Sequence, residues 1–133
     1  MRITHEADYA VRIVYVMTKN GGMMPASQIS QETGVTLRFT LKILRKLFLA
    51  GIVSSQKGAS GGYMLAMKPE DISMGLIIES IDGPLELNHC LSGSFDCTRV
   101  EDKNMCEFHQ IYDQLSVKLR QELYDIKMNT FKI

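Results

Sequence analysis

Three cysteines and a histidine are the residues of this chain best suited to chemistry. Cys90, Cys97 and Cys106 lie in or at the end of one long stretch without sustained periodicity, and His109 follows close behind. If a helix begins near Cys106, the i, i+3 spacing sets Cys106 and His109 on one face. Three thiolates and an imidazole suit a tetrahedral zinc, or a [2Fe-2S] cluster in which a histidine replaces one cysteine. Spacing alone does not choose between them, and ordinary free thiols beside a solvated His109 fit the same letters. An odd cysteine count rules out a complete disulfide framework, and in a reducing compartment such a cluster reads as metal or redox chemistry.

A second set of residues suits nucleic acid. Between Thr33 and Lys68 the charged residues are Arg38, Lys42, Arg45, Lys46, Lys57 and Lys68, with no Asp or Glu among them. That is the footprint of a phosphate-facing surface inside a chain whose formal net charge is zero. From Glu70 to Glu107 the balance reverses, with nine acids against Arg99 and Lys103. On a recognition helix, Thr36, Leu37, Arg38 and Leu41 are placed to reach base edges, and Lys42 and Arg45 lie beside them. Arg38 is the best single base contact, because a guanidinium bonds guanine at two acceptors. Gln56, Lys57 and Ser60, on a glycine-rich turn, supply a further DNA contact. A helix-turn-helix that binds only protein, as an adaptor, is the competing reading.

Holding these side chains requires a scaffold. Thr4 is placed to cap a helix in which Ala10, Ile13, Val14 and Met17 recur at helical spacing until Asn20-Gly21-Gly22 ends it. Tyr9, Val11, Tyr15 and Val16 widen its apolar surface, which predicts burial on a second side, such as against a partner subunit. A short helix opens at Pro25-Ala26-Ser27 and stops at Gly34, and Thr36 caps a longer one running to Ala50, with Thr40, Ile43, Leu44 and Leu47 inward. Residues 52–55 and 63–66 read as strands of a hairpin whose turn is 57–62. A further helix begins at 69–71, carries Met74, Ile77, Ile78 and Ile81, and ends at Gly83-Pro84. Residues 85–105 form an unusually long loop. From Cys106 onward Phe108, Ile111, Tyr112, Leu115, Leu119, Leu123 and Ile126 alternate by threes and fours, the seam of a helix that packs on another helix. Ile111, Leu115, Leu119 and Leu123 are the expected dimerisation contacts.

The expected fold is mainly α with a small β-hairpin wing. Residues 1–83 form a winged helix-turn-helix DNA-binding domain, 84–105 a cysteine-containing cluster-binding loop, and 106–133 a dimerisation helix and tail. A length of 133 residues, 45% apolar, allows one respectable core rather than two domains. No apolar run is long enough for a membrane span and the N-terminus lacks signal-peptide zoning, so a cytoplasmic protein is expected. No paired carboxylates, nucleophile with base, or phosphate-binding glycine loop stands at a useful spacing, which argues against an enzyme.

The chain resembles the Rrf family of winged-helix transcriptional regulators, in its IscR/NsrR-like iron-sulphur subgroup. The resemblance rests on Met1-Arg2-Ile3-Thr4 with Asp8-Tyr9-Ala10, Lys42-Ile43-Leu44 with Leu47, Ala50-Gly51-Ile52-Val53, Gly61-Gly62-Tyr63-Met64-Leu65-Ala66, and the three-cysteine loop. It implies a homodimeric repressor that binds a double-stranded DNA operator, with its long C-terminal helices crossed. It also implies a cluster held by Cys90, Cys97 and Cys106 that senses redox state, nitric oxide or iron-sulphur status. His109 matches the fourth ligand of one subgroup, and Asp8 matches the intersubunit aspartate of the other. A [2Fe-2S] cluster with His109 is favoured because local spacing then suffices; a [4Fe-4S] cluster, zinc, or free thiols acting as sensors are the alternatives. The cysteine spacings are wider than is usual in the family, and Ala59-Ser60 stands in the wing where glycine or proline is common.

Overall fold

The computed structural model describes residues 2–131, so Met1 of the N-terminal motif and Lys132 and Ile133 of the C-terminal segment lie outside the described residues. Five helices and one antiparallel hairpin follow in the order α1 (His5–Asn20), α2 (Ala26–Thr33), α3 (Leu37–Leu49), β1 (Val53–Gln56), β2 (Gly62–Leu65), α4 (Met74–Asp82) and α5 (Glu107–Asp125). The helix starts are set by local chemistry. The Thr4 and Thr36 hydroxyls accept from Ala7 N–H and Phe39 N–H, and Ser73 caps α4 in the same way through Leu76 N–H. Gly21 and Gly34 end α1 and α2 in the left-handed region, where a side chain would be strained.

The core forms where the inward stripes meet. Ala10, Ile13, Val14 and Met17 of α1 pack with Ile29 of α2 and with Ile43, Leu44 and Leu47 of α3. Met24, Ile52, Val53, Ile72, Ile77 and Met128 close the same core. The hairpin pairs Val53 with Leu65 and Gln56 with Gly62, so both strands lie one residue nearer the turn than the expected 52–55 and 63–66. A third short bridge joins Met24 to Tyr63, with N–H to O distances of 2.8 and 2.7 Å. Gly62 makes that bridge possible, since a Cβ there would lie 2.4 Å from the Met24 carbonyl oxygen.

One expectation is corrected. The helix expected from Pro69 is interrupted: Pro69–Asp71 is a single 3-10 turn, after which Ile72 and Ser73 run extended before α4. Long-range pairing explains the break, because Met128 N–H donates to Ile72 O and Met74 N–H to Ile126 O, each at 2.9 Å. The tail therefore turns back after α5 and buries Met128 completely. Part of the widened apolar side of α1 meets this same tail, with the rings of Tyr15 and Phe131 edge to face at 6.4 Å, while Tyr9 meets Phe39.

α5 is joined to α4 by a compact polar cluster. The Glu79 carboxylate accepts from Arg120 Nε at 3.0 Å, from the Tyr124 hydroxyl at 2.5 Å and from Leu85 N–H at 2.9 Å. Gly75 lets the helices approach, since a Cβ there would fall 2.2 Å from the Tyr124 ring. Burial pushes the Glu79 carboxyl up, but the bonds from Arg120, Tyr124 and Leu85 outweigh it and hold the group below its usual value. Its contribution is therefore fully present above the unfolded carboxylate pKa of about 4.3 and is lost as the pH falls through the lower folded value. Glu79→Gln is expected to cost about 1.5–3 kcal/mol at neutral pH, the range for hydrogen bonds to a charged group. Urea unfolding at pH 7 and in acid checks this, and the difference between the two proteins should shrink in acid.

Candidate functional site

α3 presents the two faces expected of a recognition helix. Thr40, Ile43, Leu44 and Leu47 are buried, which leaves Thr36, Leu37, Arg38, Leu41, Lys42 and Arg45 together on the exposed side. Gln56, Lys57 and Ser60 are likewise exposed at the end of the hairpin. Gly61 folds the tip tightly, with a Cβ position only 2.1 Å from Gln56 O. The cation count of the segment overstates its free charge: Glu6 of α1 pairs with Lys46 at 2.8 Å and reaches Lys42 at 3.8 Å. Phe39 is an exposed aromatic on this helix that pattern reading passed over. Its ring is half-exposed, edge-on to Tyr9 at 6.4 Å and under the Lys42 ammonium at 5.8 Å. An aromatic outside the inward stripe was the available signal.

The cysteines and His109 are brought to one place. Cys90, Cys97, Cys106 and His109 line a single hollow of about 330 Å³, together with Phe95, Arg99, Lys103 and Tyr112. All three thiols are free and half-buried. Cys106 closes the loop just before α5, and a 3-10 turn at His89–Leu91 carries Cys90. The donors share the hollow without converging: among the described residues no three His, Cys, Asp or Glu side chains come close enough to hold a metal ion. His109 Nδ1 is buried with no hydrogen-bond partner. An orphaned imidazole nitrogen and three thiols lining one hollow are, by donor type, a set that suits zinc or an iron-sulphur cluster.

Two cations tune the hollow. Arg99 N–H reaches Cys97 Sγ at 3.4 Å, and this bond, with Val100 N–H and the charges of Arg99 and Lys103, lowers the Cys97 thiol below its ordinary value. Lys103 also braces the loop, donating from Nζ to Ser92 O at 2.7 Å and to Phe95 O at 3.3 Å. Such a bond across the loop leaves no periodic trace in sequence. Asp8 is absent from the hollow, and within this chain it accepts from Arg12 at 2.7 Å.

The expected dimerisation residues divide into two groups. Ile111 and Leu115 are about half-exposed and share their face with Phe108. Leu119 and Leu123 turn toward the chain itself and line a hollow of about 540 Å³ with Ile3, Pro84 and Leu87. The loop is tied to α5 on this side, since Leu87 N–H donates to the buried Ser116 hydroxyl at 3.0 Å.

The family described as Rrf2, an iron-dependent transcriptional regulator, matches residues 3–131. The chain belongs to the Rrf2 family. Its place there makes it a DNA-binding transcriptional regulator of winged-helix fold, from a family of regulators rather than enzymes. The HTH-type transcriptional regulator IscR of Aliivibrio salmonicida is 27% identical, the match spanning 100% of this chain and 78% of that protein. Among solved Rrf2-type folds, CymR, the global cysteine regulator of B. subtilis, superposes with a TM-score of 0.76 at 21% identity, covering 97% of this chain and 94% of its own. IscR of T. potens superposes with a TM-score of 0.73 at 22% identity, covering 97% and 84%. These likenesses establish the mainly α architecture with its β wing. Among the described residues no helix is long and apolar enough to cross a membrane.

Proposed function

We propose that this Rrf2 regulator is a cytoplasmic homodimeric repressor whose operator affinity is set by a [2Fe-2S] cluster on Cys90, Cys97, Cys106 and His109. The observation that carries the reading is the shared hollow, lined by three free thiols and by a histidine whose buried Nδ1 lacks any partner. When bound, the cluster supplies a redox centre whose integrity depends on oxidants, nitric oxide and iron supply. The chain's own residues do the rest. Neighbouring N–H groups and cations lower the Cys97 thiol below its ordinary value, which suits a ligand, and Lys103 braces the loop through Ser92 O. Because Leu85 N–H is held by Glu79 and Leu87 N–H by Ser116, a change in loop shape is passed to both α4 and α5. The exposed Phe108, Ile111 and Leu115 face is the proposed dimer seam, through which α5 would set the spacing of two recognition helices.

The test is an optical spectrum with iron and sulphide analysis on protein purified without oxygen, repeated for Cys97→Ala. Visible charge-transfer bands with stoichiometric iron and sulphide, lost in the variant, are expected. A colourless protein that stays free of iron after reconstitution would transfer the site to zinc or to thiol sensing. The second reading has its own support in the free, acid-shifted Cys97 thiol. It keeps the same DNA interface and changes only the signal.

On that interface, Arg38→Ala is expected to weaken operator binding by about 1–3 kcal/mol, the value of one bidentate base contact. Fluorescence anisotropy at fixed salt measures it. An equal loss on all sequences, with a shallower salt dependence, would reassign Arg38 to phosphate.

A further inference from the structure

Resting on the DNA-binding role that family membership gives the chain, we propose that α3 reads thymine through its methyl group, using Leu37 and Leu41. The helix LRFTLKILRKLFL contains no Asn, Gln, Asp or Glu. It therefore lacks the amide that bonds adenine at two positions and the carboxylate that accepts from the cytosine amino group. What remains for direct readout in a major groove is a guanidinium or ammonium for guanine and apolar contact for thymine.

Of the exposed apolar residues in the first turns of α3, Phe39 is engaged by the Tyr9 ring and the Lys42 ammonium, which leaves Leu37 and Leu41 to do this. They stand one turn apart at the N-terminal end of α3, 47% and 44% exposed, while Leu44 and Leu47 on the same helix are fully buried. Their stripe continues into Arg45, and Arg38 and Lys42 form the stripe beside it. The Thr36 hydroxyl is engaged as the acceptor of the helix cap, and Lys46 is held by Glu6. Two exposed leucines flanked by the exposed Arg38 and Arg45, in a segment without a single acid, match an anionic partner that carries apolar protrusions. Duplex DNA with thymines in its major groove has that chemistry. An apolar protein surface would leave Arg38 and Arg45 without counter-charges.

The experiment begins by selecting bound duplexes from a random pool with the full chain purified without oxygen. Each thymine of the selected half-site is then replaced by uracil, which removes the methyl group and nothing else. At one or two positions per half-site the affinity is expected to fall about fourfold, the worth of one methyl group withdrawn from apolar contact. Leu41→Ala should bind thymine and uracil duplexes equally at its position, while Arg38→Ala should bind more weakly yet keep the distinction. Unchanged affinity at every uracil position, with tight binding to the selected duplex, overturns methyl readout and leaves DNA binding intact. Failure to enrich any duplex overturns both and points to a protein partner for the leucine stripe.

Discussion

His109→Ala is expected to lower iron retention by at least about tenfold, because even outer partners of metal ligands cost 10–100-fold when removed. Asp8→Ala is expected to leave retention unchanged. The two residues differ in what they already do. Asp8 holds a charge-assisted bond to Arg12 at 2.7 Å, which it would have to surrender in order to ligate. His109 surrenders nothing, since its buried Nδ1 has no partner and the ring faces the cysteine hollow. Iron per chain after anaerobic desalting, with chelator competition, separates the variants. Loss of iron in Asp8→Ala with retention in His109→Ala would reverse the assignment and make the fourth ligand an intersubunit one. Thermal stability of the metal-free His109→Ala protein is a useful companion measurement. Removal of an unsatisfied buried nitrogen should not destabilise it, so any iron deficit then reports on ligation rather than folding.

Sequence was informative wherever the determining interaction is local. Thr4, Thr36, Gly21 and Gly34 mark helix ends because each acts on backbone groups within four residues, and all four do so here. The buried stripe of α3 likewise follows from 3.6-residue periodicity alone. Reading failed where a distant strand intervenes. Residues 72–73 look helical by composition, yet they run extended because Ile126 and Met128 supply backbone partners from the far end of the chain. The site was legible in the same uneven way. Cysteines and His109 announce themselves by type, but the Lys103 brace and the Glu6 pairing with Lys46 join residues far apart in sequence. Along α5, Ile111 and Leu115 are exposed while Leu119 and Leu123 are half-buried within the chain, a difference that alternation by threes and fours does not encode.

Met128→Ala is expected to destabilise the protein by about 2–5 kcal/mol, the range for truncating a buried methionine to alanine. Composition gives no reason to value this residue, which lies near the C-terminus of the chain after the last long helix. Its side chain is nonetheless fully buried in the core shared by α1, α3 and α4, and its backbone N–H is bonded to Ile72 O. Met128→Leu, which nearly conserves volume, should cost less than about 1.5 kcal/mol. Urea denaturation distinguishes two ways the alanine variant could lose stability. A lower midpoint at constant slope means that the tail unfolds with the core as one unit; a lower slope means that the tail has already detached in the native state. The first result is expected, because the tail contributes both backbone pairing at 72–74 and core packing, and neither survives without the other. A midpoint equal to that of the parent protein would show that the turn at Met128–Thr130 is dispensable. The coupling matters for regulation: the tail fastens the far end of α5 to the winged-helix core, while the cysteine loop is attached to its near end. A helix anchored at both ends can carry a change in loop shape to the DNA-binding core, whereas one free at its far end would absorb that change by fraying.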